Sequence, residues 1–283
     1  MWIAENWKDY EVLDASEGEK LERWGKYTLV RPDPQVIWST EKKRAAWRRP
    51  DGHYTRSAKG GGEWDVKNLP ESWQITYGDL RFNLKPLGFK HTGLFPEQAA
   101  NWDWFSKLIR EAGRPIKVLN LFAYTGAASL AAKAAGADVT HLDSVRQVVT
   151  WARENQDRSG LDGIRWVIED AMKFARREER RGNLYQGIIL DPPAYGHGPD
   201  GEKWKLDECL FDMMKNVGHI LDPENSFLVL NLYSNGFSAI LGETVVREAL
   251  GLKSGDGLDS GELILRDKFG KNLPLSIFVR LSR

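Results

Sequence analysis

Residues 117–132 read KVLNLFAYTGAASLAA: an apolar strand-like run, a turn holding one glycine, then an alanine-rich stretch suited to a helix. A short strand that is apolar on both faces suits a parallel sheet covered by helices. The same texture repeats downstream in DVTHL (138–142), IRWVI (164–168), GIIL (187–190), SFLVLNL (226–232), ELIL (262–265) and LSIFVRL (275–281). Helical patterns begin between them near Ala127, Val145, Ala171, Leu206 and Phe237. Strand and helix alternating in this way predict an α/β fold, a doubly wound seven-stranded sheet, over residues 117–283.

Upstream the texture differs. Seven of the twelve tryptophans precede residue 75, and short alternating segments stand at YTLV (27–30), QVIW (35–38), SWQITYG (72–78) and LRFNLKPL (80–87). Turn signals separate them, among them Pro32-Asp33-Pro34, Pro50-Asp51-Gly52 and Gly60-Gly61-Gly62. A small β-rich domain is therefore expected over residues 1–87, joined to the sheet by a connecting segment, 88–116.

Forty basic against forty acidic residues give zero formal charge, which argues against coating nucleic acid by bulk electrostatics but not against a local basic patch. The single cysteine, Cys209, excludes an internal disulfide and a cysteine-based metal cluster. The longest uncharged stretch, 118–132, is fifteen residues, too short for a membrane span. The acidic start, MWIAENWKDYEVLDASEGEK, lacks the basic start and apolar run of a secretion signal, so a cytoplasmic location is expected.

In open parallel sheets ligands sit beyond the carboxyl ends of the strands. The turn Asn120-Leu121-Phe122-Ala123-Tyr124-Thr125-Gly126 lacks both the three-glycine dinucleotide pattern and the triphosphate loop. That disfavours a nicotinamide-dependent dehydrogenase and leaves room for an adenosyl ligand without a diphosphate. Asp143 ends the second strand, where a ribose hydroxyl pair is usually held. Glu169-Asp170 ends the third, with Asp170 suited to an adenine amino group, and Asp191-Pro192-Pro193-Ala194-Tyr195 follows the fourth. Singly, each has a plainer reading: either aspartate can cap a helix, and Asp-Pro-Pro can be a rigid turn. Four such signals on four successive strands are a specific pattern.

On the motifs LFPEQ (94–98), VLNLFAYTGAASL (118–130), THLDSV (140–145), EDAMKF (169–174) and ILDPPAYG (189–196), the chain resembles class I S-adenosylmethionine-dependent methyltransferases. Within them it is most similar to the branch of the bacterial 23S ribosomal RNA cytosine methyltransferases and their uncharacterised relatives. The resemblance implies a Rossmann-like methyltransferase sheet and S-adenosyl-L-methionine as cofactor. It implies that Phe122, Ala123, Tyr124, Thr125 and Gly126, with Asn120, wrap the methionine part, and that Asp143 holds the ribose with Ser144 beside the adenine. Asp170, with Ala171, would meet the adenine amino group, and Gln98 would reach over the cofactor. Asp191, Pro192 and Pro193 would face the transferred methyl group and the substrate, with Asp191 accepting from a nucleobase amine and Tyr195 as a base-stacking ring.

The family's cytosine enzymes carry a cysteine after the fifth strand; here Ser234 stands near that site in LNLYSNG (230–236). Methylation of cytosine carbon 5 needs a thiolate adduct, so this departure points to a nucleobase nitrogen of ribosomal RNA as acceptor. Cys209 shares a helical stripe with Leu206, Leu210, Met213, Met214, Val217 and Ile220 and reads as core. His197, in GHGPDGEKWK, is either a base or a solvated loop residue, and that loop is a candidate lid; His91 is equally open. Residues 42–59 carry seven basic residues against one aspartate with Trp47, His53 and Tyr54 interleaved, which suits single-stranded RNA. Alternatively this charge only balances the acidic segment 5–22. A catalytically inactive cofactor-binding RNA chaperone and a methyltransferase acting on a small molecule or protein also remain open.

Overall fold

The computed structural model describes residues 1–57, 61–86, 88–233, 236–253 and 255–283. Lys59, Gly60, the expected boundary at Leu87, and Ser234 with Asn235 lie outside the described residues. The described chain divides into two compact units. One comprises residues 1–2, 100–263 and 276–283; the other comprises 3–99 and 264–275. This division departs from the boundaries read in the sequence: the segment from Ala100 belongs with the large sheet, and 264–275 belongs with the N-terminal unit.

In chain order, β1 (Trp2–Ile3) is followed by a five-stranded sheet, β2 (Tyr10–Ser16), β3 (Glu19–Trp24), β4 (Tyr27–Pro32), β5 (Gly52–Arg56) and β6 (Gly62–Val66). A hairpin of β7 (Trp73–Tyr77) and β8 (Leu80–Leu84) closes the N-terminal elements. QVIW (35–38) is not a strand. After Pro34 the Val36 N–H turns back to the Asp33 carbonyl at 3.1 Å, and Val36 instead fills a small core with Ala15 and Leu273. Strands β2 and β3 face buried charge: Glu22 is fully buried, gripped by Arg31 through Nε at 2.6 Å and Nη2 at 2.8 Å, with Tyr10 Oη at 2.7 Å. Burial alone would raise the Glu22 pKa; Arg31, Lys20 and Tyr10 bring it down to about 2.

The large sheet follows: α1 (Ala99–Glu111), β9 (Lys117–Leu121), α2 (Ala127–Ala134), β10 (Asp138–Asp143), α3 (Arg146–Arg158), β11 (Arg165–Ile168), α4 (Ala171–Arg180) and β12 (Gly187–Leu190). A short hairpin, β13 (Tyr195–His197) with β14 (Lys203–Lys205), precedes α5 (Leu206–Ile220), β15 (Phe227–Tyr233), α6 (Ala239–Leu250), β16 (Leu258–Arg266) and β17 (Asn272–Ser282). The order across the sheet is β1-β16-β17-β15-β12-β9-β10-β11, so the seven expected strands carry an eighth, Trp2–Ile3, at one edge. β11, β10, β9, β12 and β15 run parallel, and β17 joins β15 antiparallel. Leu119, Leu121, Ile188, Leu190, Leu228 and Leu230 pack with Phe174 of α4 and with Leu210, Met213 and Met214 of α5 in one buried cluster. Each fully buried aliphatic side chain contributes about 1.5–3 kcal/mol, which makes this layer the main stabilising element behind the strand ends. No helix among the described residues is long and apolar enough to cross a membrane.

Candidate functional site

β9 lies between β12 and β10, so the chain leaves it to one side for β10 and later crosses to the other for β12. A crevice opens at the carboxyl ends of strands where the winding reverses in this way. Just past β9 the backbone is left-handed at Phe122 (φ 55°), Tyr124 (φ 49°) and Gly126 (φ 87°). For a non-glycine residue this conformation costs about 1–3 kcal/mol and persists only where neighbours over-determine it. They do so here. The Ala123 N–H donates to the Leu142 carbonyl at 3.0 Å, the Tyr124 N–H to Asp143 Oδ2 at 2.8 Å, and Asn155 Nδ2 to the Thr125 carbonyl at 3.0 Å. Beneath the loop, buried Asn120 donates to Ser129 Oγ at 2.9 Å, which lies 2.9 Å from His141 Nδ1.

Asp143 is the hub of this loop. Its Oδ1 accepts the Val145 N–H at 2.9 Å while Oδ2 holds Tyr124. Burial raises its pKa, and the N–H groups of Val145, Tyr124 and Ser144 oppose the shift without cancelling it. A carboxylate that stays under-solvated after three backbone donors gains from further donors, such as a hydroxyl pair. Asp170 caps α4, its Oδ1 accepting the Lys173 N–H at 2.9 Å, so the capping role holds and the second oxygen is the one that faces other tasks. Glu169 is paired with Arg177.

Phe122, Leu142, Asp143, Ser144, Glu169, Asp170, Ala171, Pro193, Gly196, His197, Gly198 and Trp204 line an open cleft of about 330 Å³. The structure thus brings six expected residues together: Phe122, Asp143, Ser144, Asp170, Ala171 and Pro193. Ala123, Tyr124, Thr125 and Gly126 form the turn beside the cleft without lining it, and Asn120 is committed to the buried network. Gln98 sits in the other unit, buried in the 3₁₀ turn Pro96–Gln98.

Asp191 stands two residues before Pro193. Asn231 Nδ2, on β15, donates to Asp191 Oδ1 at 2.8 Å, and Ser276 Oγ donates to Asn231 Oδ1 at 3.0 Å. Pro192 and Pro193 follow, and Trp204 Nε1 donates to the Pro193 carbonyl at 2.7 Å while its ring packs on Phe122 with centroids 4.7 Å apart. The segment read as a glycine-rich loop is instead a hairpin. Gly198 N–H donates to the Glu202 carbonyl at 2.8 Å, and the Glu202 side chain pairs with Lys173 of α4. Tyr195 is exposed, with its Oη hydrogen-bonded to His197 Nε2 at 3.0 Å.

Two site residues escaped the sequence reading. Asn231 lies inside an apolar run and shows its role only once β15 is beside β12; a polar residue in FLVLNLY was the available signal. Trp204 is the one aromatic in a polar, glycine-rich stretch, which could have marked it as an anchor. Cys209 is half-buried on α5 against the main core cluster. The basic stretch is partly spent: Lys42 pairs with Glu17 and Glu19, His53 with Glu19, and Trp47 Nε1 donates to Asp14 at 2.9 Å.

The sequence profile of the S-adenosylmethionine-dependent methyltransferase family matches residues 19–261. A solved S-adenosylmethionine-dependent methyltransferase from Agrobacterium tumefaciens is 39% identical, with a TM-score of 0.93 over 99% of this chain and 92% of that one. A candidate methyltransferase solved with SAH bound shares the fold at 18% identity, with a TM-score of 0.74 over 98% of this chain and 76% of its own. The ribosomal RNA large subunit methyltransferase K/L of Shewanella frigidimarina is 30% identical over 157 residues, 55% of this chain. The chain spans about a fifth of the length of that relative, 21%.

Proposed function

The chain belongs to the S-adenosylmethionine-dependent methyltransferase family, and on that footing we propose that it methylates a nucleobase nitrogen of large-subunit ribosomal RNA, with Asp191 receiving the acceptor amine. S-adenosylmethionine, when bound, supplies an electrophilic methyl group on a positively charged sulfur. The chain's own residues bind, orient and exclude water. In this reading the turn from Phe122 to Gly126 holds the methionine part, Asp143 takes the ribose hydroxyls, and Ser144, Ala171 and the free oxygen of Asp170 surround the adenine. The locked left-handed turn and the under-solvated Asp143 support a ligand rich in hydroxyl donors at this edge.

The observation that carries the proposal is the Asp191 carboxylate held from one side by Asn231. In this reading the carboxylate, oriented by Asn231, accepts an N–H from the acceptor base and takes up its proton as the nitrogen gains the methyl group. The Pro192-Pro193 backbone, tied down by Trp204, keeps that direction, and exposed Tyr195 offers a ring for the base. Fixing nucleophile and methyl carbon in line accounts for up to about 7–11 kcal/mol of barrier reduction. Nitrogen rather than carbon 5 is favoured because the chain's single thiol, Cys209, packs against the core and Ser234 replaces the family's cysteine. The ribosomal acceptor rests on the name carried by the Shewanella relative.

Mass spectrometry of ribosomal RNA nucleosides from cells lacking this protein tests the reading. Loss of one N-methylated nucleoside is expected, restored by the wild type and not by Asp191→Ala. An unchanged profile, or loss of 5-methylcytidine, contradicts it. Restoration by Asp191→Ala would instead favour the RNA chaperone.

A further inference from the structure

The N-terminal unit has an open cleft of its own, of about 710 Å³, that none of the chemistry above uses. Its lining includes Tyr54, Arg56, Ser57, Phe89, Lys90 and His91. Charge here is one-sided. The two acids behind it are already matched: Glu22 by Arg31, and Asp33 by Lys20 at 3.3 Å. Arg56 and Lys90 are surplus, and among the described residues neither forms an ion pair. Among the described residues Lys90 Nζ reaches only the Pro32 carbonyl, at 3.4 Å.

Burial, and then Lys20, Arg31 and Arg56, push the Lys90 pKa down to about 8 against the pull of Asp33. The same surroundings hold His91 neutral, its pKa lowered to about 3, first by burial and then by Arg31 and Lys90. A cleft in which an ammonium is hard to keep charged is short of an anion. Beside these cations the ring of Phe89 is 66% exposed, a large apolar face left in water. Two cations beside an exposed ring are the pairing that single-stranded nucleic acid exploits.

We propose that this cleft binds a phosphodiester of single-stranded RNA, with Arg56 and Lys90 on the phosphate and a neighbouring base stacked on Phe89. That the strand is RNA rests on the function proposed above; that the occupant is a phosphate flanked by a planar group rests on the cleft alone. The site would hold substrate by its backbone, without reading sequence.

The test is fluorescence anisotropy of the full chain with a labelled mixed-sequence RNA 12-mer, run beside methyl transfer to ribosomal RNA. Arg56→Ala/Lys90→Ala should weaken binding at least about tenfold and flatten the salt dependence by about 0.7 log units per decade, the value for one single-strand phosphate contact. Phe89→Ala should cost at least about fivefold. Arg56→Lys/Lys90→Arg should retain most of the affinity, and unchanged circular dichroism shows that the variants fold. If wild type methylates ribosomal RNA while the alanine pair binds the 12-mer as wild type does, the cleft proposal is overturned and the RNA reading stands. If wild type binds the 12-mer through these residues but labels no RNA, the cleft is supported and the acceptor reading fails. Equal competition by inorganic phosphate and by the 12-mer would reduce the site to an anion pocket and overturn its assignment to RNA.

Discussion

Asn231 Nδ2 lies 2.8 Å from Asp191 Oδ1, and Ser276 Oγ locks Asn231 from the far side at 3.0 Å. The three residues come from neighbouring positions across the sheet, with Asn231 on β15, Ser276 on β17 and Asp191 just past β12. The proposed reacting group is thereby oriented by a relay of two neutral side chains.

Asn231→Ala should therefore slow transfer without loosening the cofactor. A hydrogen bond to a charged group is worth about 1.5–3 kcal/mol, so kcat should fall by about ten- to a hundredfold. The dissociation constant for S-adenosylhomocysteine should stay within about threefold. Steady-state kinetics beside calorimetry reads both, and an unchanged kcat would remove Asn231 from the site.

Asp143→Ala should do the reverse. It removes the proposed ribose acceptor and frees the Tyr124 N–H that pins the strained turn. Calorimetric affinity for S-adenosylhomocysteine should drop at least about tenfold, the loss of one or more charged hydrogen bonds. Retained affinity would mean that the ribose lies elsewhere.

Gly126 has φ 87°, and a Cβ there would stand 2.9 Å from Ala152 Cβ. Gly126→Ala should destabilise the fold by about 1–3 kcal/mol, read as a lower urea midpoint with unchanged slope. An unshifted midpoint would show that the turn relaxes freely.

The buried His141 gives a pH signature. Burial, then Arg153, lowers its pKa from 6.5 to about 3, and among the described residues its Nε2 has no partner. The folded protein keeps it neutral while the unfolded chain protonates below 6.5. Stability is thus full above that value and falls as pH drops toward 3, by about 2 kcal/mol at pH 5 from this residue. Ring chemical shifts of His141 in the folded state should show no titration between pH 7.5 and 5; a midpoint near 6.5 would contradict this.

Much of the large sheet was legible because parallel strands covered on both faces must be apolar throughout, as GIIL (187–190) is. Helix starts were equally plain at Ala127, Ala171 and Leu206, whereas α6 begins at Ala239 because Ser238 caps it by accepting from the Leu241 N–H. Trp2–Ile3 is too short a strand to read. In the N-terminal unit EKLERW (19–24) has four charged residues, yet Glu22 and Lys20 are buried and are satisfied by Arg31 and Asp33, a pairing invisible until β3 and β4 are adjacent. The acids at strand ends could be found because they follow their strands directly. Asn231 and Trp204 could not, since their roles depend on partners forty and eleven residues away.

The most direct measurement of the central claim is transfer in vitro. The purified protein is given S-adenosylmethionine carrying an isotopically labelled methyl group and unmodified large-subunit ribosomal RNA, and the digested nucleosides are resolved by mass spectrometry. The account predicts label on the nitrogen of one nucleobase, abolished by Asp191→Ala with cofactor affinity kept within about tenfold. Label in 5-methylcytidine, label on a protein or small molecule only, or full turnover by Asp191→Ala would contradict it.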